Sequence, residues 1–412
     1  MNKSSTSITP VLGEPLTSVP GFRAAGIAAG IKKRGGLDLA LIVADSPCVA
    51  AAVFTTNAVQ AAPVQFDRAL LGRNAAGIQA AVINSGCANA VTGEQGLRNT
   101  ETTAQAVIEA LDLPCDSVLV MSTGVIGAQL PMRQVLPGIR MAATQLSNEP
   151  DAGHAAAQAI MTTDTRPKEV AVQLMLDDGP VTIAGICKGA GMIHPNMATL
   201  LALVCTDAVI DQTALDAALR YAVDRSFNCM TVDGDTSTND TLLVLANGAA
   251  KTSQITADSA AFEAFQAGLT AVCSELAKLV ARDGEGATKF VTVAVTGGRS
   301  FAEARQVGRT IATSSLVKTA IFGTDANWGR VLAAVGRSGV EVDPQRLALW
   351  FGDVQLVAAG APLAYNEADA HASLTGSDVF VAVDLGLGDE AATVWTCDFS
   401  HEYVSINADY RT

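Results

Sequence analysis

The chain has 412 residues, 49% of them hydrophobic and only 5% aromatic, and its formal net charge at pH 7 is -14. The acidic balance and the lack of a basic block exclude a protein that grips a nucleic-acid backbone, since such proteins need clustered Lys and Arg to displace counterions. Charged residues interrupt every apolar run well before 18 residues and the start of the chain lacks the apolar core of a signal peptide, so we expect no membrane span and a cytoplasmic protein.

Cysteine and histidine usage predicts neither disulfides nor a bound metal. The chain has eight cysteines and four histidines, with no CxxC or HExxH spacing among them. Several cysteines lie inside apolar runs, as Cys205 does in "LALVCTDAVI". We therefore expect small buried hydrophobes in a reducing compartment.

Strands and helices interleave along the first half of the chain. Patterns of apolar residues and turn residues predict the elements in this order: a hairpin over 37–57 that turns at Asp45-Ser46-Pro47, a strand over 80–90 ending in a small-residue turn, a helix over 98–112 capped by Asn99 or Thr100, a strand over 117–127, and a hairpin over 168–189 that turns at Asp177-Asp178-Gly179.

The second half continues with amphipathic helices and then more strands. Helical spacing of apolar residues covers 213–227 and 259–284, and the second helix stops at Gly284, a common residue at a helix end. Strand patterns follow over 290–298, 347–357 and 378–400.

Strands follow one another too often for a doubly wound parallel sheet. The pattern instead predicts a layered α/β (α+β) fold, an αββα-type sandwich around mixed sheets. A long helix gives way to a strand-rich segment between Gly284 and Lys289. We therefore predict a main domain over residues 1–285 and a smaller C-terminal α/β domain over residues 286–412.

Six turns rich in Gly, Ser, Thr and Asn follow apolar strands. Each alone is simply a turn, since these residues supply positive φ and local side-chain bonds. Together they suggest a polar rim around a small-molecule site. The turns are "NSGCANA" at 84–90, "STGVIG" at 122–127, "TTDT" at 162–165, "KGAGMIHPNMAT" at 188–199, "TVDGDTSTND" at 231–240 and "FGTDANWGR" at 322–330.

The turn at 188–199 ends on Thr199, directly before the apolar run 200–204. A threonine hydroxyl is a poor nucleophile unless a base takes its proton, and its own α-amino group, with a pKa of about 8, can serve as that base. Thr199 gains such a group only if the Ala198–Thr199 bond breaks. Gly189, Gly191 and Pro195 would suit a loop that holds the bond strained, whereas the plainer interpretation is a β-branched residue that opens a strand.

The same segments carry a family resemblance. "VINSGCANA", "MSTGVIG", "MTTDT", "KGAGMIHPNMATLLALV", "NCMTVDGDTSTND", "FGTDANWGR" and the terminal "NADYRT" resemble the ornithine acetyltransferase family of arginine biosynthesis, also called glutamate N-acetyltransferase. The matching segments run in order from about residue 10 to the last residue.

The resemblance implies self-cleavage before Thr199, which would give an α chain of residues 1–198 and a β chain of residues 199–412. Thr199 would then carry an acetyl group from N-acetylornithine to glutamate, with acetyl-CoA as a further donor in some members. It also implies no cofactor, an α/β sandwich with a smaller C-terminal domain, and an assembly of two α and two β chains (α2β2).

Site residues follow from the same resemblance. It places an oxyanion hole on Thr123 and Gly124. It assigns substrate binding to six residues, of which Thr412 would require the tail to fold back over the pocket: Thr162, Lys188, Thr199, Glu285, Asn407 and Thr412. From the residues alone, Lys188 reads as a surface lysine and Glu285 as a solvated acid at a helix end.

Two rival functions remain open at this level. An N-terminal-nucleophile amidase or aminopeptidase of related fold would share the cleavage but use water as the acceptor. A ligand-binding or regulatory protein would show neither cleavage nor an acetyl group on Thr199. Ala190 and His194 depart from the pattern of some relatives without removing a named role.

Overall fold

The computed structural model describes residues 8–194 and 200–409, so the predictions made for Ala198, Thr199 and Thr412 lie outside the described residues. The strands are β1 Val11–Leu12, β2 Phe22–Ile27, β3 Leu39–Phe54, β4 Ile78–Cys87, β5 Val118–Val125, β6 Lys168–Leu176, β7 Gly179–Lys188, β8 Leu201–Thr206, β9 Thr241–Ala246, β10 Phe290–Gly298, β11 Ala348–Phe351, β12 Val354–Ala358, β13 Ala361–Pro362, β14 Asp378–Asp384 and β15 Glu390–Cys397.

Helices lie between most of these strands. They are α1 Ala62–Asn74, α2 Gly93–Leu111, α3 Met132–Thr144, α4 Pro150–Ala159, α5 Gln212–Arg225, α6 Ala260–Arg282, α7 Phe301–Ala312, α8 Ser315–Phe322, α9 Trp328–Gly336, α10 Glu367–Ala372 and α11 His401–Asp409. Among the described residues, no helix is long and apolar enough to cross a membrane.

The larger sheet follows the order β1-β6-β7-β8-β9-β3-β4-β5, with β2 paired to β3. The strand β3 is central to it, because its second half pairs with β9 and its first half with β2 and β4. The hairpin predicted over 37–57 is therefore wrong. Asp45, Ser46 and Pro47 are exposed at a shift in register, and the chain continues through them in the same strand instead of reversing.

The two halves of this sheet stack as the inner layers of a sandwich. Buried residues of β3 and β4, such as Ile42 and Ile83, share one core with Leu203 of β8 and Leu243 of β9. The outer faces carry helices: α5 and α6 cover the β6–β9 half, and α2 and α3 cover the half formed by β3, β4 and β5. The predicted αββα layering is confirmed.

A six-stranded sheet of order β13-β12-β11-β14-β10-β15 follows, with its own core against α7, α8 and α9. We refer to residues 290–397 as the C-terminal sheet region. The segment predicted as one strand over 347–357 is a tight pair, β11 and β12, which turns at Gly352 with φ +54°. The proposed domain division at 285/286 stays a prediction; a turn joins α6 to β10 there.

Two further sequence predictions can be compared with the structure. The helix expected over 98–112 begins earlier, at Gly93, so Asn99 and Thr100 lie inside it and are not caps. All eight cysteines, each among the described residues, are free thiols, and all except Cys115 are buried. The small, buried cysteines expected from the sequence are thus present.

Candidate active site

A cavity of about 290 Å³ opens where several strand ends and loops of the larger sheet meet α11. Five of the six predicted polar turns contribute to its lining. The sixth, at 322–330, joins α8 to α9, and none of its residues is among the described lining residues. The polar rim inferred from the sequence therefore exists, but with one turn fewer than expected.

Thr123 and Gly124 lie at the end of β5, where they pair with Ser85 and Gly86 of β4. Gly124 has φ +130°, and a Cβ atom there would lie 2.3 Å from the backbone carbon of Gly86, so only glycine fits. Because a glycine leaves its N–H unhindered, this position suits a backbone donor directed at a ligand.

A side-chain amide holds the two strand ends together. Nδ2 of Asn239 donates to the carbonyl oxygens of Ala88, at 2.6 Å, and Ser122, at 2.8 Å. The hydroxyl of Thr238 donates in turn to Oδ1 of Asn239 at 2.6 Å. The four residues that make these bonds are all buried, so the wall around Thr123 is fixed by paired polar groups.

Lys188 ends β7 and is buried, with only 6% of its surface exposed, which rules out the surface position that the sequence alone favours. Its Nζ donates to Oγ1 of Thr123 at 3.2 Å. Burial lowers the pKa of Lys188, while the Asp164 carboxylate opposes that shift. Because Thr123 accepts this bond, its own hydroxyl proton is available for a ligand.

Asp164 connects three parts of the site. Its Oδ1 accepts from Nζ of Lys168 at 2.6 Å and from the N–H of Gly189 at 2.7 Å, while Oδ2 accepts from the N–H of Thr162 at 2.9 Å. Burial opposes its ionisation, but the charges of Lys168 and Lys188 outweigh burial and hold the pKa of Asp164 at about 2. One buried carboxylate thus holds the backbone at Thr162 and at Gly189, the residue next to Lys188.

Glu285 follows α6 and faces the cavity from the opposite half of the chain. It is buried (8% exposed), so the solvated acid considered from the sequence is wrong. Its N–H donates to the carbonyl of Ala190 at 2.8 Å, and its Oε2 accepts from Nδ2 of Asn407 on α11 at 2.8 Å. A Cβ atom on Gly191 would lie 2.3 Å from that same oxygen, so this glycine makes room for the carboxylate.

Asp233 and Tyr403 line the cavity, although the sequence did not single them out. Asp233 accepts the N–H groups of Met192 at 2.6 Å and Ile193 at 2.8 Å, and burial raises its pKa. Burial and the neighbouring carboxylates Asp233 and Glu285 raise the pKa of Tyr403, so its hydroxyl stays protonated. In the sequence, the only signal that pointed to either residue was the position of Asp233 in the predicted polar turn at 231–240.

Six residues assigned by resemblance therefore converge on one cavity: Thr123, Gly124, Thr162, Lys188, Glu285 and Asn407. The chain also returns to this wall after the segment that is not described. Leu200 accepts the N–H of Thr241 at 3.0 Å, and Leu201, the first residue of β8, pairs with Lys188. The cavity combines a buried cation with the carboxylates of Glu285, Asp233 and Asp235, which suits a ligand that carries both signs.

Comparison with known proteins identifies a family for this chain. The model of the ArgJ family matches residues 23–412. The arginine biosynthesis bifunctional protein ArgJ of Symbiobacterium thermophilum is 52% identical over 400 residues, covering 96% of this chain and 98% of that protein. The mitochondrial ArgJ protein of Yarrowia lipolytica is 49% identical over 405 residues, covering 95% of this chain and 94% of that protein.

Among solved structures, the ArgJ protein of Bacillus halodurans is 42% identical, with a TM-score of 0.48. The match covers 50% of this chain and 96% of that chain.

Proposed function

This chain belongs to the ArgJ family, as predicted from its motifs, and from that premise we propose that it is a self-processing acetyltransferase of arginine biosynthesis. It moves an acetyl group from N2-acetylornithine to glutamate and thereby releases ornithine and N-acetylglutamate. The observation that supports this most is the convergence of the six residues on one cavity, where Thr123 and Gly124 adjoin a buried Lys188.

The first step is self-cleavage between Ala198 and Thr199. The hydroxyl oxygen of Thr199 attacks the carbonyl carbon of Ala198, the C–N bond breaks, and the amide nitrogen takes a proton to become the new α-amine. Water then hydrolyses the ester, which leaves a carboxylate on Ala198 and a free hydroxyl on Thr199. The resulting α-amine has a pKa of about 8 and can accept the hydroxyl proton in later steps.

Acetyl transfer then proceeds in two halves. The hydroxyl of Thr199 attacks the acetyl carbonyl of N2-acetylornithine, and ornithine leaves with the proton held by the α-amine. The amine of glutamate attacks the acetyl ester in the second half and restores the hydroxyl. Both halves form a tetrahedral oxyanion, and donation from Thr123 and the Gly124 N–H would stabilise it, each donor being worth about 10²–10³ in rate.

Charge placement supports amino-acid substrates. Lys188 supplies a buried cation for a substrate carboxylate, and Glu285, oriented by Asn407, supplies a partner for an ammonium group. The N–H groups of Thr162 and of Gly189, the residue next to Lys188, both donate to Asp164. We further propose that Thr412 completes the pocket, that the assembly is α2β2, and that acetyl-CoA can serve as a second donor without any bound cofactor or metal.

Denaturing mass spectrometry of purified protein tests the proposal. We expect two fragments, residues 1–198 and 199–412, and after acid quenching with N2-acetylornithine an added acetyl mass on the second fragment only. Thr199→Ala should give one intact chain without the adduct. Thr102→Ala is the matched control, because Thr102 is exposed on α2 and its hydroxyl donates to the Arg98 carbonyl of its own helix.

A single unbroken chain that still transfers acetyl groups would exclude this mechanism. The acceptor is tested separately, by measuring ornithine release from N2-acetylornithine with and without glutamate. Release that needs no glutamate would identify an amidase that uses water. Replacing N2-acetylornithine with acetyl-CoA in the same assay shows whether the second donor is used.

A further inference from the structure

His194 is the last described residue before the segment that holds the proposed cleavage site, and both of its ring nitrogens have partners. Nε2 lies 3.3 Å from Nη2 of Arg309 on α7, and Nδ1 lies 3.4 Å from Oγ1 of Thr231. The Thr231 hydroxyl donates to the carbonyl of Ile193 at 2.8 Å. Thr231 therefore contacts both the His194 ring and the carbonyl of the peptide bond that joins residues 193 and 194.

These contacts fix the protonation of the ring. A guanidinium has only donors, so Nε2 of His194 must accept from Arg309 and carry no proton. The single ring proton is then on Nδ1 and points to Thr231, whose oxygen can accept because its own proton is donated to Ile193. A protonated ring would place an N–H against the guanidinium, which is unfavourable in both charge and hydrogen bonding.

Nearby charges agree with this geometry. Burial lowers the pKa of His194 to about 4, the positive charge of Arg309 adds to the shift, and Asp235 opposes it. Arg305, one turn before Arg309 on α7, is paired with Asp224 at 3.0 Å, and Asp233 accepts the N–H of Ile193 next to the ring. The imidazole is therefore neutral at physiological pH.

The residues before His194 are anchored equally closely. Gly189 donates to Asp164, Ala190 accepts from Glu285, and Met192 and Ile193 donate to Asp233. Those anchors all belong to residues before β10. Arg309 differs, because it reaches the loop from the C-terminal sheet region, and the same region also binds Thr231 through the carbonyl of Trp395, at 2.9 Å.

We infer that His194 is a positioning residue for self-cleavage: held between Arg309 and Thr231, it fixes the entry to the scissile segment and makes processing depend on the C-terminal sheet region. The inference rests on the proposed function, since it concerns the rate of that cleavage. It assigns His194 no direct contact with the reacting atoms. Small errors in the placement of reacting groups can slow a reaction by about 10²-fold.

The rate of cleavage during pulse-labelled cell-free synthesis of the full chain, followed by denaturing electrophoresis, tests this inference. We expect Arg309→Met to slow cleavage by roughly 10–100-fold. Arg309→Lys keeps a donor and a charge, so it should recover part of the rate. Arg305→Met is the matched control on the same helix, because Arg305 binds Asp224 at 3.0 Å, and we expect it to cleave like the wild type.

Substitution of the ring itself gives a second series. His194→Asn keeps a polar atom at the position of Nδ1, and His194→Gln keeps one at the position of Nε2, so each should cleave faster than His194→Ala. Thermal melting of each variant shows whether it folds. If His194→Ala does not fold, the comparison of Arg309→Met with Arg309→Lys tests the inference instead.

Cleavage of both His194→Ala and Arg309→Met at the wild-type rate would overturn the inference. Equal slowing by Arg305→Met and Arg309→Met would do so as well, because the effect would then come from α7 in general. A wild-type chain that is never cleaved is a different result, since it would contradict the proposed function itself.

Discussion

Two walls of the cavity are built in different ways. The strand-end wall, formed by Thr123, Gly124 and Lys188, lies on buried strands of the larger sheet and is braced by buried polar groups. The helical wall, formed by Tyr403 and Asn407, lies on α11, and none of the residues 401–409 is buried. Stacking of Tyr403 on Phe399, with ring centroids 4.8 Å apart, helps to hold that helix in place.

The difference separates two requirements of a transferase. Groups that stabilise a reacting atom need a fixed geometry, and rigid strands supply it. Groups that recognise a substrate must also let it enter and leave, and elements with few buried contacts open most easily. We therefore expect substitutions in the strand-end wall to affect folding, chemistry or, at Lys188, the binding of a substrate carboxylate, and substitutions in the helical wall to affect substrate affinity alone.

The largest effect is expected from Gly124→Ala. The new Cβ would overlap the backbone of Gly86, and the alanine would have to adopt φ +130°. We therefore expect a loss of about 2–5 kcal/mol in the free energy of unfolding. Gly336→Ala is the control, because that glycine ends α9 and, apart from its chain neighbours and the backbone of its own helix, no described atom lies within 4 Å of its added Cβ. Urea unfolding measures both, and equal stability of the two variants would break the comparison.

Lys188→Met tests the buried cation. A hydrogen bond to a charged group contributes about 1.5–3 kcal/mol, so kcat/KM should fall by roughly 10–100-fold. The melting temperature should not fall, because methionine fills similar space without a charge to bury. Lys33→Met, at an exposed lysine, should match the wild type in both respects. Undiminished kcat/KM in Lys188→Met would remove the carboxylate-binding role.

Asn407→Ala tests the helical wall. It removes the 2.8 Å bond to Glu285, and since one such bond contributes about 0.5–1.5 kcal/mol, we expect KM to rise about 3–10-fold with kcat nearly constant. Stability should not change. Ser405→Ala serves as control on the same exposed helix, because the one bond of the Ser405 hydroxyl within residues 8–194 and 200–409 is to the carbonyl of His401. A lower melting temperature with unchanged KM would mean that α11 is structural.

The smallest effect is a pH dependence of binding. Burial lowers the pKa of Lys188 below 10.5, so affinity for a carboxylate ligand should be lost as pH rises through that lowered pKa, earlier than for an exposed lysine. The unfolded chain binds the Lys188 proton more tightly than the folded chain does, so protonated Lys188 lowers the free energy of unfolding at pH values below its lowered pKa. This penalty decreases as pH rises from that pKa to 10.5. Titration of ornithine binding against pH measures the effect, which should be absent in Lys188→Met.

Local pattern predicted many elements correctly. The Asp177-Asp178-Gly179 turn joins β6 to β7 as expected, and α5 and α6 follow the helical spacing of their apolar residues. The long strand β3 was missed because its two halves pair with different partners, which no local pattern encodes. The start of α2 was missed because its first turn carries Gly93 and Gly96, which are poor helix formers.

The sequence by itself determined the family, the layered fold and the identity of the polar turns, because motif order and apolar periodicity are local properties of the chain. Only the tertiary structure decided the roles of Asp164, Asp233 and Asn239. Asp164 binds the N–H of a residue 25 positions away, Asp233 one 41 positions away, and Asn239 a carbonyl 151 positions away. A buried carboxylate or amide gains its function from the partners that satisfy it, and folding alone brings those partners together.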